Sequence, residues 1–174
     1  MNFQDLKLAA AQRRHLGVAF SAERIAAEGA NVAIILDTEE KEILKPFLSL
    51  KEKLSSEGKK VQFLICGEKA AKNDISEYPS FCREDISWNG KITNPEVLDF
   101  LKTKFQVLIC FAASENKTAA FVVSVAAADL KFGLLSGEKE QDLHDVAICQ
   151  PQPDAEVFVE EIKKYIKILN RRAV

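Results

Sequence analysis

Four short apolar runs punctuate the chain, at Val32 to Leu36, Val61 to Ile65, Val107 to Phe111 and Val146 to Cys149, with helix-patterned stretches between most of them. Strands covered on both faces read as unbroken apolar blocks, whereas half-exposed strands alternate. The pattern therefore predicts an α/β domain built on a largely parallel sheet, with helices as the crossovers that parallel strands require.

The strand at 31 to 37 leads into a helix from about Glu39 to Glu57, where Ile43, Phe47, Leu50 and Leu54 keep a three-or-four spacing and Gly58 serves as the C′ stop. Pro46 within that stretch predicts either a kink or a helix that starts near Lys45. A strand at 61 to 66 precedes the least regular part of the chain. There Pro79 and the Asn89, Gly90 turn signal surround a short strand at Phe81 to Glu84, and Trp88 is expected to staple the connection onto the sheet. Asn94 and Pro95 open a helix at 95 to 103. A strand at 106 to 112 follows, then an alanine-rich helix at 117 to 128, strands at 131 to 135 and 145 to 149, and a closing helix from Asp154 to Asn170 with a broad apolar face. Residues 1–28 read as an appendage, a basic amphipathic helix at 3 to 15 and a turn capped by Ser21, ahead of one α/β domain at 29–174.

Composition narrows the picture mainly by exclusion. Lys and Arg number 24 against 26 Asp and Glu, interspersed, for a formal net charge of −2, so no basic field draws nucleic acid or anionic lipid. No run approaches the roughly 20 apolar residues of a membrane span, and the N-terminus lacks a signal-peptide core, which gives a cytoplasmic, reducing location as the expectation. Cys66, Cys82, Cys110 and Cys149 form no CxxC or Cys/His pair at ligand spacing. They read as inert thiols, with Cys66, Cys110 and Cys149 in strands covered on both faces.

In an open parallel sheet, ligands lie outside the carboxyl ends of the strands, near the point where connections diverge to opposite faces. Those ends supply Asp37 and Thr38, Gly67 and Glu68, Ser114 to Thr118, Ser136 to Glu138, and Gln150 to Gln152. The foremost candidate is the loop with Ser114, Asn116, Lys117 and Thr118, at a helix N-terminus whose free N–H groups favour an anion. Ser, Asn and Thr also cap helices routinely, and that use competes with ligand binding. Asp37 has three readings, a metal ligand, a partner for a ribose hydroxyl or the next helix's N-cap, of which capping is the commonest use. With Glu39 and Glu40 it makes an acidic cluster that, without histidine, is at most a weak Mg²⁺ site, so no metal or cofactor is expected. His15 and His144 are the only histidines, and no GxSxG string offers a nucleophile.

The strings NVAIILD at 31 to 37, SWNGK at 87 to 91, FQVLICFA at 105 to 112, VAAADLKFGLLS at 125 to 136 and FVEEIKKYIKIL at 158 to 169 resemble a family of small bacterial proteins that carry a domain of unknown function. The likeness covers nearly everything after about residue 18 and implies a fold, not an activity. The piece from Phe105 to Ser136 also resembles part of the N-terminal domain of heptosyltransferase-type glycosyltransferases, which implies a shared Rossmann-like ancestry and carries over no catalytic residue.

The expected architecture is thus a three-layer, Rossmann-like α/β domain, mostly parallel, with strand order 3-2-1-4-5-6 and an N-terminal appended helix. The expected function is noncatalytic, an intracellular interaction or small-ligand-binding protein. The alternative is an enzyme or enzyme remnant acting on a nucleotide or sugar phosphate. A homodimer is expected because the N-terminal helix, the Phe121 to Ala128 face and the stripe from Val157 to Leu169 all seek cover, and a small anionic ligand is the other expected partner.

Overall fold

A computed structural model describes Arg24 and residues 26–67, 77–135 and 143–172. The apolar runs become strands of one sheet: β1 (Asn31–Leu36), β2 (Lys60–Cys66), β3 (Ser80–Phe81), β4 (Phe105–Phe111), β5 (Ala128–Leu135) and β6 (Val146–Cys149). They lie in the order β3-β2-β1-β4-β5-β6, and every neighbouring pair is parallel. β1 and β4 hold the centre, which is why their sequences are nearly continuous in apolar residues: both of their faces are covered.

Successive side chains on a strand point to opposite faces, and the core divides accordingly. Val32, Ile34 and Leu36 of β1 face helices α1 (Lys41–Ser56) and α4 (Ala155–Arg172), where Phe47, Phe111 and Phe158 stack with ring centroids 5.1 to 6.2 Å apart. Ala33 and Ile35 face helices α2 (Pro95–Lys102) and α3 (Lys117–Val125), which contribute Val97, Phe100, Ala119 and Val122. The result is three layers. Right-handed crossovers turning outward in both directions from the β1–β4 pair put their helices on opposite faces, and so create a switch point between those two strands.

Helix ends follow their sequence signals. Gly58 has φ +78°, and the N–H groups of Gly58 and Lys59 donate to the carbonyls of Ser55 and Leu54, both at 3.0 Å, closing α1 with a Schellman motif. Four expectations need correction. The strand expected at Phe81 to Glu84 is only the two-residue β3, because the chain turns into a 3₁₀ helix at Arg83–Asp85, where the Asp85 carboxylate accepts from the Cys82 N–H at 2.9 Å. The α1 helix does not start near Lys45: the Glu40 carbonyl already accepts from Ile43 and Leu44, and the helix runs through the buried Pro46. The α3 helix stops at Val125 and β5 starts at Ala128, because the Ala127 carbonyl accepts from the Phe105 N–H at 2.9 Å and draws the chain into the sheet. Trp88 is 98% exposed rather than a staple. Its turn is held instead by the Ser87 hydroxyl, bonded to Asn89 and Lys91, and by the bridge between Ile86 and Ile92.

Of the appendage, only Arg24 and residues 26–28 are described, and Arg24 pairs with the buried Asp129 carboxylate at 3.0 Å. The helix expected at 3 to 15, with His15, and the cap Ser21 lie outside the described residues, as do Glu68 and Ser136 to Glu138. No described helix is long and apolar enough to cross a membrane.

Candidate functional site

The switch point lies between the carboxyl ends of β1 and β4, and two side chains cross it. Asp37, directly after β1, accepts from the backbone N–H of Ala113, just after β4, at 2.9 Å. Asn116 reaches further. Its Oδ1 accepts from the Ala119 N–H at 2.9 Å, capping α3, while its Nδ2 donates to the Cys66 carbonyl at the end of β2 at 2.8 Å. Both polar ends of this buried side chain are therefore engaged, and the capping role and the crossing role belong to one residue.

Asn94 repeats the device. Its Oδ1 takes the N–H groups of Glu96 and Val97 at the start of α2, and its Nδ2 donates to the Ser80 carbonyl of β3 at 3.0 Å. Each helix on this face is thus tied at its N-terminus to a strand end across the sheet, by an asparagine that a single-purpose cap would not require.

The remaining candidates sit around these bonds. Thr38 accepts from the Glu40 N–H at 3.2 Å in a turn ahead of α1. Ser114 is half-buried in the loop before α3, and Lys117 and Thr118 form the first turn of that helix, Lys117 exposed. The structure brings Asp37 to the β4 loop and Asn116 to the β2 end. Of the six candidates, Ser114 and Asn116 line one and the same small cavity. Among the described residues, no three His, Cys, Asp or Glu side chains are grouped so as to hold a metal.

Behind Asn116 lies a cavity of about 30 Å³, lined by Cys110, Ala112, Asn116, Val123, His144 and Ala147 among others. That is room for about one water molecule and not for a metabolite. His144 closes its outer side. A Cβ added to Gly133 of β5 would stand 2.2 Å from the His144 ring, so the ring lies flat against the strand where only glycine admits it. Burial, reinforced by the Lys131 ammonium, lowers the imidazole pKa to about 4. Lys131 is itself buried and donates to the Val123 carbonyl near the C-terminus of α3, where a cation is favoured. The sequence offered one signal for this pair, a glycine interrupting a strand, which marks a close approach without naming the approaching group.

The thiols divide. Burial pushes Cys110 up to about 12 and Cys66 well above its ordinary range, each with a smaller contribution from Asp37. Cys82 rises to about 11, through burial and its contacts with Glu84 and Asp85. Cys149 departs from the expectation. It is exposed, because β6 is an edge strand and no described helix covers its outer face.

A family model described as Family of unknown function (DUF6913) matches residues 18–169. The chain belongs to that family. No curated protein matches it.

Proposed function

We propose that the chain is a noncatalytic interaction domain of the intracellular, reducing environment, working as a homodimer and not through turnover of a small molecule. One observation carries this reading: the crevice where a doubly wound sheet receives its ligand is crossed by the protein's own bonds, Asp37 to Ala113 and Asn116 to Cys66. A ligand at that point would have to displace a buried asparagine whose donor and acceptor are both engaged, leaving the helix cap and a strand-end carbonyl unbonded. The cavity behind it is too small to take over the role.

A second reading, an enzyme or enzyme remnant on a nucleotide or sugar phosphate, has one feature in its favour: the first-turn N–H groups of Lys117 and Thr118, with the exposed Lys117 ammonium beside them. Mass spectrometry of the chain purified without denaturation decides between the two. The expected spectrum holds no nucleotide or sugar phosphate at near-stoichiometric level. Such a species, displaced by Lys117→Glu, would overturn the noncatalytic reading.

A further inference from the structure

The two edges of the sheet are unlike. β3 is two residues long, follows Pro79 and runs into a 3₁₀ turn at Arg83–Asp85, so it offers a copy of the chain almost nothing to pair with. β6 offers four residues, Val146–Cys149, without a charge or a proline, and Ala147 and Cys149 are exposed. Among the described residues no strand pairs with its outer side, and edges of this kind are what proteins ordinarily blunt.

The α4 helix continues that surface. Its core side carries Phe158, Ile162, Ile166 and Leu169. On the flank toward α1, Lys163 binds Glu160, and together with Lys53 of α1 it holds that carboxyl below its usual range. The opposite flank overhangs β5 and β6, since the Tyr165 ring stands 5.8 Å from that of Phe132. There Val157, Tyr165 and Ile168 are 51%, 40% and 48% exposed. At 3.6 residues per turn, Val157, Glu161, Lys164 and Ile168 fall in one sector about 60° wide.

The order of residues in that sector is self-complementary. Val157 and Ile168 are centred on the same midpoint as Glu161 and Lys164, between Ile162 and Lys163. Within each chain Lys164 already donates to Glu161 at 2.5 Å. An antiparallel copy about that midpoint extends this pair across the axis, setting Val157 against Ile168 of the second copy and Glu161 against Lys164 of the second copy, each contact occurring twice. The sheet edge allows the same axis. Gln150 accepts from the Asp154 N–H at 2.9 Å, which levels the end of β6 with the start of α4. From there Ala147 lies about 10 Å down the strand and the helix midpoint about 13 Å down α4, so one twofold axis passes close to both.

The geometry points to a twofold homodimer in which β6 pairs antiparallel with β6 of a second copy while the two α4 flanks meet beside it. This rests on the reading of the chain as an interaction domain and gives it its partner and its contact residues. Light scattering on the full chain at micromolar concentration tests it. The parent chain is expected to be a dimer and Ile168→Glu a monomer with an unchanged circular dichroism spectrum, since Ile168 is half-exposed and outside the core. Glu161→Lys sets like charges together twice and weakens the dimer about tenfold, while Glu161→Lys with Lys164→Glu restores it, because the exchanged pair is again self-complementary. A monomeric parent chain, a dimeric Ile168→Glu chain, or a double variant weaker than Glu161→Lys would each overturn this interface. A copurifying nucleotide or sugar phosphate would instead overturn the noncatalytic reading and leave the interface standing.

Discussion

The carboxyl edge at the β1–β4 switch point and the outer flank formed by β6 and α4 invert the usual division of labour in a doubly wound sheet. The first is where such sheets hold ligands, yet here it is drawn together by Asp37 and Asn116. The second is ordinarily an edge to be protected, yet here it carries an uncharged strand and three partly exposed apolar side chains. Polar atoms are spent inward at the one and apolar area is left outward at the other. A site whose hydrogen bonds are all internal serves stability, so substitutions there should be read in unfolding free energy, whereas those on the flank should be read in association.

The largest effect is expected at Asn116. Asn116→Ala removes a helix cap and leaves the buried Cys66 carbonyl without its donor, which together cost about 2 to 4 kcal/mol. Asn116→Asp keeps the cap but turns a carboxylate oxygen toward that carbonyl, so it should lose most of the same stability. The matching changes at Asn94, in a more exposed setting, should cost about 1 kcal/mol. Urea denaturation measures all of these. If Asn116→Ala were neutral while a phosphorylated ligand bound the variant, the crevice would be a site held closed and not a structural seam.

How far this was legible in the sequence depends on how local each cause is. β1 and β4 were plain because double-sided burial writes itself into every residue of a strand. Asn94 with Pro95, Gly58 and the Asn89, Gly90 turn were plain because a cap or turn needs only its own few residues. The start of β5 was misread since Ala126 to Ala128 suit a helix equally well, and the choice is made by the distant Phe105 N–H. Asn116 was legible as a cap, but its other bond joins residues 50 apart in the chain, and nothing near Asn116 records that Cys66 lies opposite. Trp88 and Cys149 were placed inside because they are apolar. The expected order already sets the last strand at an edge, but hydrophobicity alone does not say which face of that strand is left uncovered or which turn closes by its own hydroxyl and amide bonds.

A smaller effect separates the two regions at His144, which lines the cavity behind Asn116, lies over Gly133 of β5 and precedes β6. Its pKa falls from an ordinary 6.5 to about 4 in the fold, first through burial and then through Lys131. The unfolded chain therefore takes up the proton at higher pH than the native chain does. The contribution of this group is full above pH about 6.5, declines as the pH falls toward about 4, and levels off below that, a loss of roughly 3 kcal/mol. His144→Gln should flatten this step in urea midpoints taken across the range. A step that survives the substitution would place the titrating group elsewhere.

The smallest energetic effect, and the most direct contrast, lies in the thiols. Cys149→Ser should change stability by no more than about 0.5 kcal/mol, since the side chain is exposed at the end of β6. In the native chain one thiol should therefore react quickly with an aromatic disulfide reagent at mildly alkaline pH. Cys66, Cys82 and Cys110 should react only as fast as the fold opens, because burial disfavours their thiolates. The rate at Cys149 then reports on the flank itself. If β6 pairs with a second copy, labelling should slow as protein concentration rises through the dimer range, and Ile168→Glu should abolish that dependence. A Cys149 rate independent of concentration, in a chain that light scattering shows to be dimeric, would move the interface away from β6 while leaving the closed seam at Asn116 as it is.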